Sequence, residues 1–194
     1  ILGFVLGFSV AIVRNVYENT KKLKILNFIC NVYLTVIRGT PVVVQLLIIY
    51  FVIFSSIRID KSIAAILAFG INSGAYQAEI FRSGINSIPK GQMEAGRSLG
   101  FSYAQTMVNI IMPQAIKNVL PTLGNEFIVL MKETSVAGYI ALEDLTKAGD
   151  VIRSRTYSAM MPFLAVALLY LIMVMFFTYL LKLFERRLAR SGRG

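Results

Sequence analysis

The 194-residue chain has no histidine, no tryptophan and one cysteine, and acids are half as numerous as bases, 10 against 20. Without histidine there is no imidazole base, catalytic triad or imidazole metal ligand. Cys30 alone forms no intramolecular disulfide and no multi-thiolate zinc site, and it reads as a small buried apolar residue. No G-x-x-x-x-G-K-[ST] run is present, so the chain lacks a phosphate-binding loop for ATP. Charged residues are also scarce, at 15%, where soluble domains carry about 25%. Apolar residues make up 56% and the mean hydropathy is +0.67. Both departures point to a chain embedded in a membrane.

Five apolar blocks stand out: Ile1 to Val13, Pro41 to Ile57, Ile63 to Phe81, about Met112 to Met131, and Met160 to Phe184. A spanning helix needs about 20 mostly apolar residues. The blocks predict one all-α integral membrane domain over residues 1–194, with five transmembrane helices at about 1–14, 41–57, 63–82, 112–131 and 160–184. The first block opens on Ile1 with no methionine, so its span is expected to be longer than the part seen here.

A net charge of +10 fits nucleic acid or an anionic membrane surface, and its distribution decides between them. The positive-inside rule places the N-terminus outside and the C-terminus in the cytoplasm. Cytoplasmic segments then carry a net +11, outer loops +1 and the spans −2, the last from Glu79 and Glu126. The excess follows topology, and no nucleic-acid partner is expected. Residues Lys21–Asn31 read as a basic amphipathic helix on the inner membrane surface. In the outer segment Lys132–Thr156, acids alternate with Ile140, Leu142, Leu145 and Ile152, as in an amphipathic piece or a solvated face.

Between the third and fourth blocks, Ser87–Gly100 reads Ser-Ile-Pro-Lys-Gly-Gln-Met-Glu-Ala-Gly-Arg-Ser-Leu-Gly. Pro89 suits a first helical turn, and Gly100 suits a left-handed stop. A short helix at about 88–99, too polar to span, is expected on the cytoplasmic face, where it would act as a lever on both flanking spans.

Glu94-Ala95-Gly96, then Gly100, Ile110 and Pro113 keep the spacing of the EAA signature of ABC-transporter permeases, with Gly96 in place of Ala and Met112 in place of Leu. Gly96 should loosen its helix by about 1 kcal/mol relative to Ala. Arg38-Gly39-Thr40-Pro41 followed by Gln45, Ala75–Ile85, Ile88–Gln92 and Lys132–Ser135 resemble stretches of polar amino-acid permeases. The likeness runs from about residue 33 to 145.

The resemblance implies the membrane subunit of an ATP-driven importer of polar amino acids, cationic ones among them, in a bacterial inner membrane. It implies a cytoplasmic ABC ATPase dimer that binds the ATP and magnesium, a second permease subunit (identical or sister) and an extracytoplasmic solute-binding protein. Neither a cofactor nor an enzymatic activity is then expected of this chain. Pro89, Glu94, Ala95, Gly96 and Gly100 would form the helix that couples to the ATPase, with Glu94 either docking or capping its own loop.

Ionisable residues inside spans mark pathways by default. Asn72, Tyr76 and Glu79 share a face at i, i+4 and i+7. In the fourth block Asn118, Thr122, Asn125 and Glu126 have similar spacing, beside Pro121 and Gly124. Asn72, Tyr76, Thr122, Asn125 and Glu126 are therefore candidates for substrate binding in a cavity between the two spans. For Asn72, Thr122, Asn125 and Glu126 the competing reading is interhelical hydrogen bonding. For Glu79 it is a local pair with Arg82. A permease for another small solute, a non-transporting membrane scaffold and a small membrane enzyme are the rival functions. The enzyme would need an acid–base set for which a chain without histidine offers few candidates.

Overall fold

A computed structural model describes residues 1–57 and 59–191, with side-chain surroundings to residue 188. Arg58, Arg193 and the Arg190 side chain, each counted in the charge balance, lie outside the described residues. The described residues are almost entirely helical and contain no strand.

Helix α1 spans Leu2–Thr20 and α2 spans Lys24–Gly39, joined by a turn with Lys21 and Leu23 at positive φ. Helix α3, Val42–Ile53, ends in a π-turn and is bent by 109° from α2. Helix α4 spans Lys61–Asn86, and Asp60 caps it by accepting the Ser62 N–H at 2.7 Å. Helix α5 is Lys90–Ser98. Helix α6 covers residues 103–133, with a Ser102/Gln105 capping box at its start and a π-turn at Met107–Ile111. A 3-10 segment, Thr134–Ile140, leads to α7, Leu145–Thr156, and α8 is Met160–Ser191.

Five spans is therefore an approximate description of eight described helices. Among the described residues, α8 alone is long and apolar enough to cross a membrane by itself, over Met160–Leu188, and α2 with α3 qualifies as a bent pair. The other blocks are diluted by polar residues, some buried between helices, as Asn72 and Ser73 are, and others exposed, as Ser9, Lys117 and Asn125 are. The basic stretch at Lys21 is a turn, and α2 points Ile25, Phe28, Ile29, Val32 and Val36 outward while Asn27, Cys30 and Leu34 are buried.

Helix α4 is the centre of the fold. Its buried face is built from Ala64, Ala65, Ala68, Asn72, Ser73, Gly74, Ala75 and Ala78, small residues that let backbones approach closely. Helix α1 lies along it in parallel: Gly3 meets Gly70 and Gly74, Gly7 meets Gly74 and Ala78, and Glu18 pairs with Arg82. At Gly7 a Cβ would lie 2.8 Å from the Gly74 carbonyl oxygen, so only glycine fits that seam. Leu46, Ile49, Ala64, Phe69, Ala137 and Ile140 close a second core between α3, α4 and the 3-10 segment.

A candidate translocation site between two helices

The break between α2 and α3 leaves a carbonyl without its helical partner. The N–H that would bond Ile37 O belongs to residue 41, which is proline. The Gln45 amide replaces it, donating to Ile37 O at 2.8 Å, Thr40 O at 3.0 Å and Thr40 Oγ1 at 2.9 Å. Asn72 Nδ2 in turn donates to Gln45 Oε1 at 3.0 Å, which ties the bend to α4. Asn72 is buried in this clasp, and its Oδ1 has no partner among the described residues.

One turn further along, α4 faces α6 across a cavity of about 380 Å³. Of the five residues singled out as substrate ligands, Tyr76, Thr122 and Glu126 line it. Asn72 is turned toward α3, and Asn125, exposed and next to Glu126, lies outside the lining. Successive residues on a helix point about 100° apart, so Asn125 and Glu126 cannot share one narrow wall. Glu126 Oε1 accepts from Ser73 Oγ at 3.2 Å, and Gln77 Nε2 supports that hydroxyl at 2.9 Å. Among the described residues no Lys or Arg nitrogen comes within 4.0 Å of Glu126. Asn118 Nδ2 donates to Ser87 Oγ at 2.9 Å at the cavity's α5 end.

Glu79 is more than half of a local pair. Its carboxylate meets Arg82 at 3.2 Å, Arg14 of α1 at 3.3 Å and Arg38 of α2 at 3.6 Å. Arg82 also holds Glu18 at 3.0 Å. The cluster borders a second polar cavity of about 430 Å³, with Asn31 and Thr35 on its α2 side. Arg38 and Glu79 line both cavities. In the sequence Arg38 figured as a charge and as part of the Arg38–Pro41 stretch, with no partner assigned; its contact with Glu79 joins segments 41 residues apart, which no local pattern reveals.

At the end of α4, Pro89 is the residue before α5 and Gly100 sits at φ +88°. Glu94 and Ala95 are exposed, and Glu94 faces a polar cleft shared with Asn15, Glu18 and Lys90. Gly96 is buried against α6: a Cβ there would lie 2.5 Å from Thr106 Cγ2 and 3.0 Å from Ile110 Cδ1. The glycine in this signature is a close-packing position, which matters more than the helix loosening expected of it. Phe101 N–H bonds Gly96 O at 3.2 Å and so folds the exit turn back on α5.

A helical bundle around one small-residue helix, a carboxylate held by a serine hydroxyl between two of its helices and a short polar helix beside them fit a helical membrane transport component. The chain belongs to the family described as binding-protein-dependent transport system inner membrane component, whose model matches residues 3–190. It is 42% identical over 167 residues to the glutamine transport system permease protein GlnP of Escherichia coli, covering 84% of this chain and 76% of that one. It is 36% identical over 190 residues to the arginine transport system permease protein ArtQ of Bacillus subtilis, covering 97% and 84%. A crystal structure of an amino acid ABC transporter with histidines superposes with a TM-score of 0.88 at 42% identity, over 96% of this chain and 85% of that one. The protein is a permease component of an amino-acid ABC importer, a multi-pass inner-membrane protein that works with ATPase and binding-protein partners.

Proposed function

We propose that the cavity between α4 and α6 is the station at which the amino acid rests during translocation. The observation that carries this reading is Glu126, a carboxylate inside the membrane domain held by one serine hydroxyl. It offers an acceptor to the α-ammonium group or to a cationic side chain. Thr122 supplies a hydroxyl and Tyr76 a ring and a hydroxyl on the same walls. Asn72 acts from behind, through Gln45, and Asn125 joins only if α6 rotates.

The mechanism is alternating access. The loaded binding protein docks outside, and closure of the ATPase dimer, which hydrolyses the ATP, moves α5. Because Gly96 is seated on Thr106 and Ile110, a push on α5 passes to α6; because only Ser87–Pro89 separates α5 from α4, it passes to α4 as well. Pro89, Glu94, Ala95, Gly96 and Gly100 are the coupling residues, and Leu99, exposed at the turn, adds an apolar contact. The described N-terminal end lies outside and the C-terminus in the cytoplasm. A second permease subunit closes the open side of the cavity.

The test is uptake of labelled amino acids by vesicles holding the permease, its ATPase and its binding protein. Saturable, ATP-dependent uptake of glutamine or a cationic amino acid is expected. ATP turnover that no amino acid stimulates, with no uptake, would overturn the reading and favour a scaffold.

A further inference from the structure

The charges around the α4–α6 cavity are unevenly satisfied. Glu79 is surrounded by three guanidinium groups within 3.6 Å, two of which hydrogen-bond it, from Arg14 and Arg82. It has little left for a ligand. Arg38 is the third and the loosest: its contact is the longest and, among the described residues, it makes no side-chain hydrogen bond. Its side chain is 42% exposed, the most of the three arginines. The guanidinium carbon lies 5.7 Å from the Tyr76 ring centroid, a contact that steadies the plane of the group.

A guanidinium carries five donors in a planar fork that matches a carboxylate. Arg38 thus brings unused donors to one wall of the cavity, and Glu126 brings unused acceptors to another. A ligand of one sign would engage only one of these two walls. A molecule with both signs satisfies both. At about 380 Å³ the cavity is within the usual range for small-molecule sites.

The geometry points to Arg38 as the group that holds the α-carboxylate of the transported amino acid, with Glu126 taking its ammonium group. This rests on the reading of the cavity as the substrate's station, and adds to it the residue that selects the substrate by its carboxylate. Arg38 also lines the second cavity, so the carboxylate end of the substrate lies at the boundary between the two. Motion of α2 relative to α4 would move that end first.

The experiment measures direct binding to the permease–ATPase complex in lipid nanodiscs, without the binding protein, whose own selectivity would mask the effect. The probes are arginine against agmatine, and glutamine against 4-aminobutanamide, each amine being the amino acid without its carboxylate. Wild type is expected to bind at least one of the two amino acids, and to prefer it by at least about tenfold over its amine, the scale of a charge-assisted hydrogen bond. R38Q is expected to bring that ratio below about threefold by weakening the amino acid and leaving the amine unchanged. R38K, which keeps the charge and loses the fork, should recover part of the ratio and guards against a folding defect in R38Q. Equal affinity for amino acid and amine in wild type would overturn the role of Arg38 and leave the cavity standing. Equal weakening of both ligands in R38Q would do the same, because it would mean that Arg38 acts only through the Glu79 cluster. No binding of any of the four by wild type would overturn the cavity reading together with this one.

Discussion

The α1–α4 seam makes the sharpest stability prediction. In Gly7→Ala the new methyl carbon would sit 2.8 Å from Gly74 O and 2.9 Å from both Ala78 N and Gln77 Cβ. Two of those atoms are backbone in the middle of a helix and cannot rotate aside. Ordinary contact begins at 3.4 Å, so the helices must part by about 0.5 Å, and overpacking of this kind costs about 1–3 kcal/mol. For a chain of this size each kcal/mol corresponds to about 2–4 °C in melting temperature, giving a loss of about 2–12 °C. The chain has no tryptophan, but Cys30 is buried among Val10, Leu34, Ala75 and Ala78, where α1, α2 and α4 meet. A thiol-reactive fluorogenic dye therefore reports opening of this seam in the purified permease. Gly91→Ala, with nothing within 4 Å of its Cβ, is the control. If Gly7→Ala melts within 1 °C of that control, the seam is looser than described and glycine is not required there.

Other substitutions test other parts. Glu126→Gln should lower uptake of cationic amino acids at least tenfold while leaving assembly with the ATPase intact; unchanged uptake kinetics would remove Glu126 from the pathway. Gln45→Leu strips the bend of its three amide donations and leaves the Asn72 amide unpaired in the interior, a loss of about 2–4 kcal/mol; the same Cys30 melt reads it. Gly100→Ala forces a Cβ onto a left-handed residue and should cost about 1–2 kcal/mol, weakening substrate-stimulated ATP turnover more than ATPase binding. In α7, Arg153 first and Lys147 second hold the partly exposed Asp150 carboxyl below its ordinary 3.8. A lowered folded value means that the pairing stabilises the helix above the ordinary carboxylate range and that this contribution is lost as the pH falls through the folded value. A carbon-13 titration of Asp150 should move back toward 3.8 in Arg153→Gln.

The sequence revealed most where the physics is local or compositional. The apolar blocks and the basic-inside bias gave a helical membrane domain, and the ordered EAA and RGTP-type stretches gave the kind of transporter. The order Pro89, Glu94, Gly100 located α5, which the structure sets at Lys90–Ser98. Contacts between distant segments were another matter. Helical spacing put Asn72 and Tyr76 on a common face, yet Asn72 sits one turn away and is claimed by Gln45, because Pro41 leaves a carbonyl needing an amide donor. The Glu79–Arg82 pair was legible at i, i+3, whereas Arg14 and Arg38 reach the same carboxylate from α1 and α2. Ser73 packs in the small-residue face of α4 and is also the hydrogen-bond partner of Glu126. Gly96 looked like a small loss of helix propensity, and its meaning lies in Thr106 on another helix.

The parallel pairing of α1 with α4 has a consequence for biogenesis. Arg14 and Glu79 are 65 residues apart in the chain, and two further helices are made between them. At about 5–20 residues per second of synthesis, Arg14 waits roughly 3–13 seconds for its partner. An unpaired arginine costs about 2.5–3.5 kcal/mol at the bilayer centre and less toward the end of a span, where its side chain reaches the headgroups. A newly inserted α1 therefore has reason to ride with Arg14 at the headgroups, its glycine face uncovered, until α4 emerges. Arrival of α4 would draw the arginine inward and close the seam in a single docking event. Helix α1 thus settles only once α4 has been made, and a ribosome stalled between the two would leave a chain held in the membrane with that seam still open.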